Sequence, residues 1–250
     1  MRRVLVIGIG AGDPEHVTVE AIDALNAADV LFEIERATED LTRARAAICD
    51  RYLKPGRSPR VVSIAEPRRN RTARGYGEAV DVWRAARAAV WEGALEALGE
   101  DGCGAFLVWG DPSLYDSTVS ILREIADAGR VAFTTRVIPG VSSVHALTAR
   151  HGIPLNRVAG AVLITTGRRL ADHGLPPGVD DVVVMLDAGC SFRAVIEETL
   201  EIYWGAYLGT QDEILLSGPL AEMADEIERV RAEAREHKGW IMDCYLLRRP

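Results

Sequence analysis

Four short apolar runs, at residues 4–9, 30–34, 61–64 and 103–109, alternate with stretches of helical periodicity. Runs of that length cannot each be a helix, and their spacing leaves room for one helix between consecutive strands. Strand–helix–strand repetition of this kind predicts an α/β fold with a parallel sheet. Residues 17–28 place Val17, Ala21, Leu25 and Ala28 on one helical face. Further helices are predicted at 41–53 and 77–98.

The second half is less regular. It reads as a helix at 117–128, a strand at 131–138 and a helix ending near 149. Strands at 162–165 and 182–186 are separated by a loop rich in Gly and Pro. A helix at 192–201 follows, then short strands at 202–208 and 213–216, a long helix at 220–237 and a last strand at 240–247. The long helix has acids early and Arg, His and Lys late, as the helix dipole favours. The two styles predict two α/β domains, residues 1–115 with a mostly parallel sheet and residues 116–250 with a mixed one.

Composition narrows the classes of partner. The chain has 250 residues, 48% of them hydrophobic, enough to bury a sizeable core. Lys and Arg number 29 against 37 Asp and Glu, a formal charge of −8. That balance argues against binding to a nucleic-acid backbone, which needs clustered cations. Cys49, Cys103, Cys190 and Cys244 form no CxxC pair, so no metal site is expected and the thiols read as free in a reducing compartment. The N-terminal apolar run is shorter than a secretory signal, and no window approaches the roughly 20 apolar residues of a membrane span. A soluble cytoplasmic protein is expected, with no membrane partner.

The first apolar run ends in Gly8, Gly10 and Gly12. A dinucleotide loop would need GxGxxG and an acid after the second strand, for which Glu33 or Glu35 could serve. Here the spacing is GxGxG, and Asp13-Pro14 stands where the helix should begin. An NAD-binding module is therefore the weaker reading. A tight turn with Asp13 or Thr18 as helix cap is the plain structural alternative. Two more glycine turns close predicted strands: Gly110-Asp111-Pro112, and Pro139-Gly140 followed by Ser142-Ser143. The carboxyl ends of parallel strands are where open α/β sheets bind ligands.

Taken as a set, GxGxGDPE-x-x-T, GDPxxY and IPGVSS resemble the tetrapyrrole (corrin and sirohaem) methyltransferases, the class III S-adenosylmethionine-dependent enzymes. The likeness extends to "HGIPLN" at 151–156 and "GTQDEILLSGPL" at 209–220. It implies S-adenosylmethionine held in a cleft between two α/β domains, with the glycine loop (Gly10, Gly12) on the tetrapyrrole side. It implies cofactor contacts at Trp109, Gly110, Asp111, Leu114, Ser142, Ser143, Met185 and Gly218, with Tyr115 nearby. Where the family usually has proline in the first loop, this chain has Ala11. Family members commonly form homodimers.

Within the family, "FEIERATEDL" (32–41), residues 66–84 and residues 203–223 are most similar to a corrin methylase whose reaction also removes a two-carbon acyl group. Arg68, Arg69, Arg71 and Arg74 are suited to a tetrapyrrole's many carboxylates, since guanidinium pairs with carboxylate bidentately. Acyl removal needs water to attack a carbonyl, and Asp13, Glu15 and His16 are the nearest acid–base candidates, with Glu33 and Glu35 behind them. RNA or protein methylation on the same fold is the rival reading.

Overall fold

The computed structural model describes residues 1–35, 39–65, 67, 76–196 and 199–250, and divides into two compact units, Met1–Val141 and Ser142–Pro250.

In the first unit the chain runs β1 (Arg2–Gly8), α1 (Val19–Ala27), β2 (Val30–Ile34), α2 (Glu39–Tyr52), β3 (Arg60–Ile64), α3 (Tyr76–Glu96), β4 (Cys103–Val108), α4 (Thr118–Ala128) and β5 (Phe133–Ile138). All five strands are parallel, in the order β3-β2-β4-β1-β5. Alternate residues of a strand face opposite sides. Val4 and Val6 therefore join one core with Phe106, Trp91 and the α4 residues Ile121, Leu122 and Ile125. Leu5 and Ile7 join the other with Leu25 of α1 and Ile48 of α2. Burial on both faces is why the central strands β1 and β4 read as unbroken apolar runs. Phe106 stacks on Trp91 at 4.4 Å and on Phe32 at 4.8 Å between ring centres.

This arrangement places the sheet's switch point. β1 is followed by a helix on one face and its neighbour β4 by a helix on the other. The crevice such a reversal opens lies beyond the carboxyl ends of those two strands.

The second unit runs α5 (Ser143–His151), β6 (Val162–Thr166), α6 (Gly167–His173), β7 (Asp181–Met185), β8 (Glu201–Ala206), β9 (Ile214–Pro219), α7 (Leu220–Lys238) and β10 (Asp243–Arg248). Its sheet has the order β6-β7-β10-β8-β9, parallel between β6 and β7 and antiparallel elsewhere. Trp204, Tyr245, Phe192 and the α7 residues Leu220, Ala224 and Ile227 form its main core.

Three expectations need correction. The predicted domain break after residue 115 falls inside the first unit, because α4 carries the chain back to β5, which pairs with β1 from Arg2↔Phe133 to Ile7↔Ile138. The Gly/Pro-rich loop after β6 contains the seven-residue helix α6, ended by Gly174 at φ +64°. The helix predicted at 192–201 is only a 3-10 turn at Ser191–Val195, and by Glu201 the chain is already in β8.

Candidate active site

Three strand ends meet backbone to backbone in the first unit. A Cβ on Gly8 would lie 2.6 Å from the amide nitrogen of Gly140 and 2.9 Å from the carbonyl oxygen of Gly110. A Cβ on Gly140 would lie 2.2 Å from that same Gly110 oxygen. Side chains are excluded here because strands β4, β1 and β5 adjoin and their following turns fold over one another. Gly10 and Gly110 form an isolated antiparallel bridge, with Gly110 N donating to Gly10 O at 2.8 Å.

Asp111 locks this arrangement. Its Oδ2 accepts from the Gly140 amide at 2.9 Å, and its Oδ1 accepts from the Ser113 amide at 2.8 Å and from the Ser113 hydroxyl. A carboxylate bonded to backbone N–H groups makes the stronger, charge-assisted kind of bond. Asp111 thus ties the 110 loop to the 140 turn, and its oxygens are engaged before any ligand arrives. Leu114 N donates to Asp111 O at 3.1 Å, closing a turn that has Pro112 at its second position. Tyr115 follows at φ +54° and is 46% exposed.

The first glycine loop does not build a dinucleotide site. After Gly8 come Gly10 at φ +81°, Gly12 at φ +141° and a 3-10 turn at Pro14–His16, and α1 starts only at Val19. No helix N-terminus directly follows β1, as pyrophosphate binding requires. Asp13 caps the short turn through a 2.9 Å bond from Glu15 N, and Thr18 caps α1 through a 3.1 Å bond from Ala21 N. Ala11 is buried.

The three acid–base candidates separate clearly. Asp13 is a cap, and exposed Glu15 accepts from Arg51 at 2.9 Å. His16 packs against Gly10, where an added Cβ would come within 2.5 Å of the histidine Cβ. Its Nδ1 is buried and has no hydrogen-bond partner among the described residues. The same holds for Nε1 of half-buried Trp109. Their residues adjoin the Gly10–Gly110 bridge, His16 packing against Gly10 and Trp109 preceding Gly110 in the chain. Buried polar nitrogens are rarely left unpaired, and these two are exceptions among the described residues.

A further feature was not anticipated from sequence. β2 pairs with β4 only as far as Phe32↔Phe106, which strips Leu107 O of a strand partner on that side. Arg45 of α2 supplies two donors to it, Nε at 3.2 Å and Nη2 at 3.0 Å. Burial pushes the Arg45 guanidinium down from its ordinary value, while Glu33 and Asp116 pull it back up. Glu35 is exposed and accepts from Ser63 at 3.3 Å. Arg68, Arg69, Arg71 and Arg74 lie outside the described residues.

In the second unit, Ser142 is buried and caps α5. Its Oγ accepts from His145 N at 3.4 Å and meets His145 Nδ1 at 2.8 Å. Ser143 is half-buried, and its carbonyl accepts from the Cys244 thiol. Met185 is half-buried at the end of β7, followed by Leu186 at φ +52° and 65% exposed. Gly218 has φ +149°, and a Cβ there would touch Met223 at 3.1 Å.

Sequence reasoning missed Asp187, two residues beyond Met185. This buried carboxylate accepts from Ser191 N at 2.6 Å, Gly189 N at 3.0 Å, Ser191 Oγ at 2.9 Å and Tyr245 OH at 2.7 Å. Burial, with Asp187 beside it, pushes the Tyr245 phenol up. Arg231 donates to the Asp187 carbonyl at 2.6 Å and to Asp243 at 2.9 Å. Among the described residues no group of His, Cys, Asp and Glu could hold a metal ion, and no helix is long and apolar enough to cross a membrane.

A parallel sheet with a glycine-packed carboxyl edge, followed by a mixed-sheet unit, is the architecture of an α/β methylase. Residues 3–224 match the Tetrapyrrole (Corrin/Porphyrin) Methylases, and the chain belongs to that family. It is 50% identical to the precorrin-6A synthase (deacetylating) of Sinorhizobium sp, covering 100% of this chain and 96% of that protein. Among solved structures it is similar to a cobalamin synthesis related protein (CobF) from Corynebacterium diphtheriae. That match has 37% identity and a TM-score of 0.83, and covers 99% of this chain and 98% of that one. A uroporphyrin-III C-methyl transferase from Thermus thermophilus, solved with S-adenosylhomocysteine, shares the fold at 18% identity and a TM-score of 0.61, covering 98% of this chain and 91% of that one.

Proposed function

We propose that the chain is an S-adenosylmethionine-dependent C-methyltransferase that methylates precorrin-5 at C1 and releases acetate, giving precorrin-6A in cobalamin biosynthesis. The observation that carries this reading is the 50% identity to a deacetylating precorrin-6A synthase along the whole chain. The methyl donor supplies a sulfonium that is already a strong electrophile. The protein's share is to hold donor and macrocycle in line and to exclude water, so positioning is the main source of rate.

The reading assigns the donor to Trp109, Gly110, Leu114 and the loop that Asp111 braces. The Trp109 N–H, buried without an acceptor among the described residues, offers it a hydrogen bond. On family likeness alone it extends to Ser142, Ser143, Met185 and Gly218. Gly10 and Gly12 are assigned to the tetrapyrrole side, as are Arg68, Arg69, Arg71 and Arg74. For acyl release it retains His16, because Asp13 and Glu15 are engaged elsewhere. The assembly is proposed to be a cytoplasmic homodimer, and sedimentation at micromolar concentration would read its mass.

The test is anaerobic incubation with precorrin-5 and S-adenosylmethionine. The expected products are precorrin-6A, S-adenosylhomocysteine and acetate in equal amounts. Methyl transfer to another tetrapyrrole without acetate would move the assignment within the family. Methylation of ribosomal RNA or an elongation factor instead would overturn it.

A further inference from the structure

The Arg45 clamp uses only part of its side chain. A guanidinium carries its N–H donors in a rigid planar fork. Nε and Nη2 form the side edge of that fork, and in Arg45 both donate to Leu107 O, at 3.2 and 3.0 Å. The end edge, Nη1 with the second Nη2 hydrogen, makes no hydrogen bond to any described residue. A parallel pair of N–H groups of that kind matches the two oxygens of a carboxylate. Its direction is fixed, because both clamping bonds end on a backbone atom of the buried strand β4.

A backbone carbonyl does not need a charged donor. An uncharged amide side chain would satisfy Leu107 O without the cost of taking a cation out of water. That cost is visible here. Arg45 is half-buried, burial pushes its guanidinium down, and Glu33 and Asp116 pull it back only in part. Both acids act through space, and among the described residues neither forms an ion pair with Arg45. Leu107 is the next-to-last residue of β4, Glu33 is the next-to-last residue of β2, and Asp116 follows the turn beyond β4. The charge therefore sits at the carboxyl edge of the sheet, where open α/β sheets take their ligands.

We propose that Arg45 is a substrate-binding residue whose end edge takes one carboxylate arm of the tetrapyrrole as a bidentate pair. This inference rests on the tetrapyrrole reading above. It adds an anchor on helix α2, separate from the arginines at 68–74. A guanidinium held in advance by Leu107 O loses little freedom on binding, so it sets the macrocycle's orientation as well as adding attraction.

The test measures binding without turnover. Precorrin-5 is titrated anaerobically into the protein with S-adenosylhomocysteine present, followed by absorbance at several KCl concentrations. Donor affinity is read separately by calorimetry, and stability by thermal melting. Arg45→Gln removes the charge and keeps an amide donor. It should bind precorrin-5 at least about tenfold more weakly, as loss of hydrogen bonds to a charged group implies. Its affinity should also depend less on KCl, since one charge pair fewer is screened. Arg45→Lys keeps a cation and a donor for Leu107 O but has no bidentate edge. It should bind about three- to tenfold more weakly and keep the parent's KCl dependence. Both variants should keep the donor affinity.

Parent-like precorrin-5 affinity in Arg45→Gln would overturn the proposal. So would a weakened Arg45→Gln whose KCl dependence matches the parent's and whose donor affinity and melting temperature fall in step, the pattern of a residue that serves Leu107 O alone. Should Arg45→Gln fail to fold, parent-like precorrin-5 affinity in Arg45→Lys overturns it. If the unaltered protein itself fails to bind precorrin-5, the fault lies in the proposed function.

Discussion

Gly140→Ala is the sharpest test of the packed sheet edge. The new methyl would start 2.2 Å from the Gly110 carbonyl oxygen and 2.8 Å from the Gly8 carbonyl carbon. Both are backbone atoms, so no flexible side chain can move aside. To reach ordinary contact the 140 turn must retreat by about an ångström, which stretches the 2.9 Å bond from Gly140 N to Asp111. Losing a hydrogen bond to a charged group costs about 1.5–3 kcal/mol. Forcing an extra carbon into a packed site costs about 1–3 kcal/mol more. The expected destabilisation is about 2.5–6 kcal/mol, which for a chain of this length, at about 2–4 °C per kcal/mol, lowers the melting temperature by about 5–24 °C. Thermal melting by circular dichroism reads the first number. Calorimetric titration with S-adenosylmethionine should show affinity reduced at least tenfold, since the Asp111 loop would be untied. A variant that melts within 2 °C of the parent, by the order of magnitude set above, and binds the donor normally would refute the claim that three backbones close on one another here.

Gly93→Ala provides the opposite case: it lies in α3 with nothing within 4 Å of its added Cβ, and should raise unfolding stability by about 0.5–1 kcal/mol in urea titration. His151 should make stability depend on pH. Burial holds its pKa below the ordinary 6.5, against the pull of its bond to Trp204 O and of Glu213. A depressed imidazole means the unfolded chain takes up protons first, so this contribution is present above pH 6.5 and lost as pH falls through the folded value. His151→Gln should flatten the melting-temperature profile below that point. Burial pushes the Cys244 thiol up to about 12. Iodoacetamide at pH 8, about four pH units lower, should therefore leave it unlabelled in native protein and label it after denaturation.

The sequence shows β1, β2 and β4 clearly because they are largely buried and contain few polar interruptions. It does not show where that unit ends. The β5 segment differs from a strand of a new sheet only in its partner, and pairing with β1 is a fact about distant residues. The short helix α6 hides in its surroundings, since seven residues hold too few turns for periodicity to register. The turn at Ser191–Val195 fails the other way, with spacing that looks helical although Cys190 enters it at φ +55°.

The site divides along the same line. The glycine turns are visible as motifs, because close backbone approach leaves a compositional trace. The tie from Asp111 to Gly140 spans 29 residues and leaves none. Nor does the Arg45 clamp on Leu107 O, which depends on where β2 parts from β4. Asp187 had a faint signal, an acid just past a strand end and two residues before a glycine. Its four donors, from Gly189 to Tyr245, appear only in three dimensions.

The doubly bonded carboxylate of Asp111 has a kinetic and thermal consequence. A loop that must organise around its guest imposes an entropic toll on association and slows it. This one is already fastened at both oxygens, so a donor bound as proposed would meet amides and carbonyls in their final places. Capture should then proceed without a folding-like heat-capacity signature, and hydrogen exchange at Gly110 and Gly140 should be slow even in the empty protein.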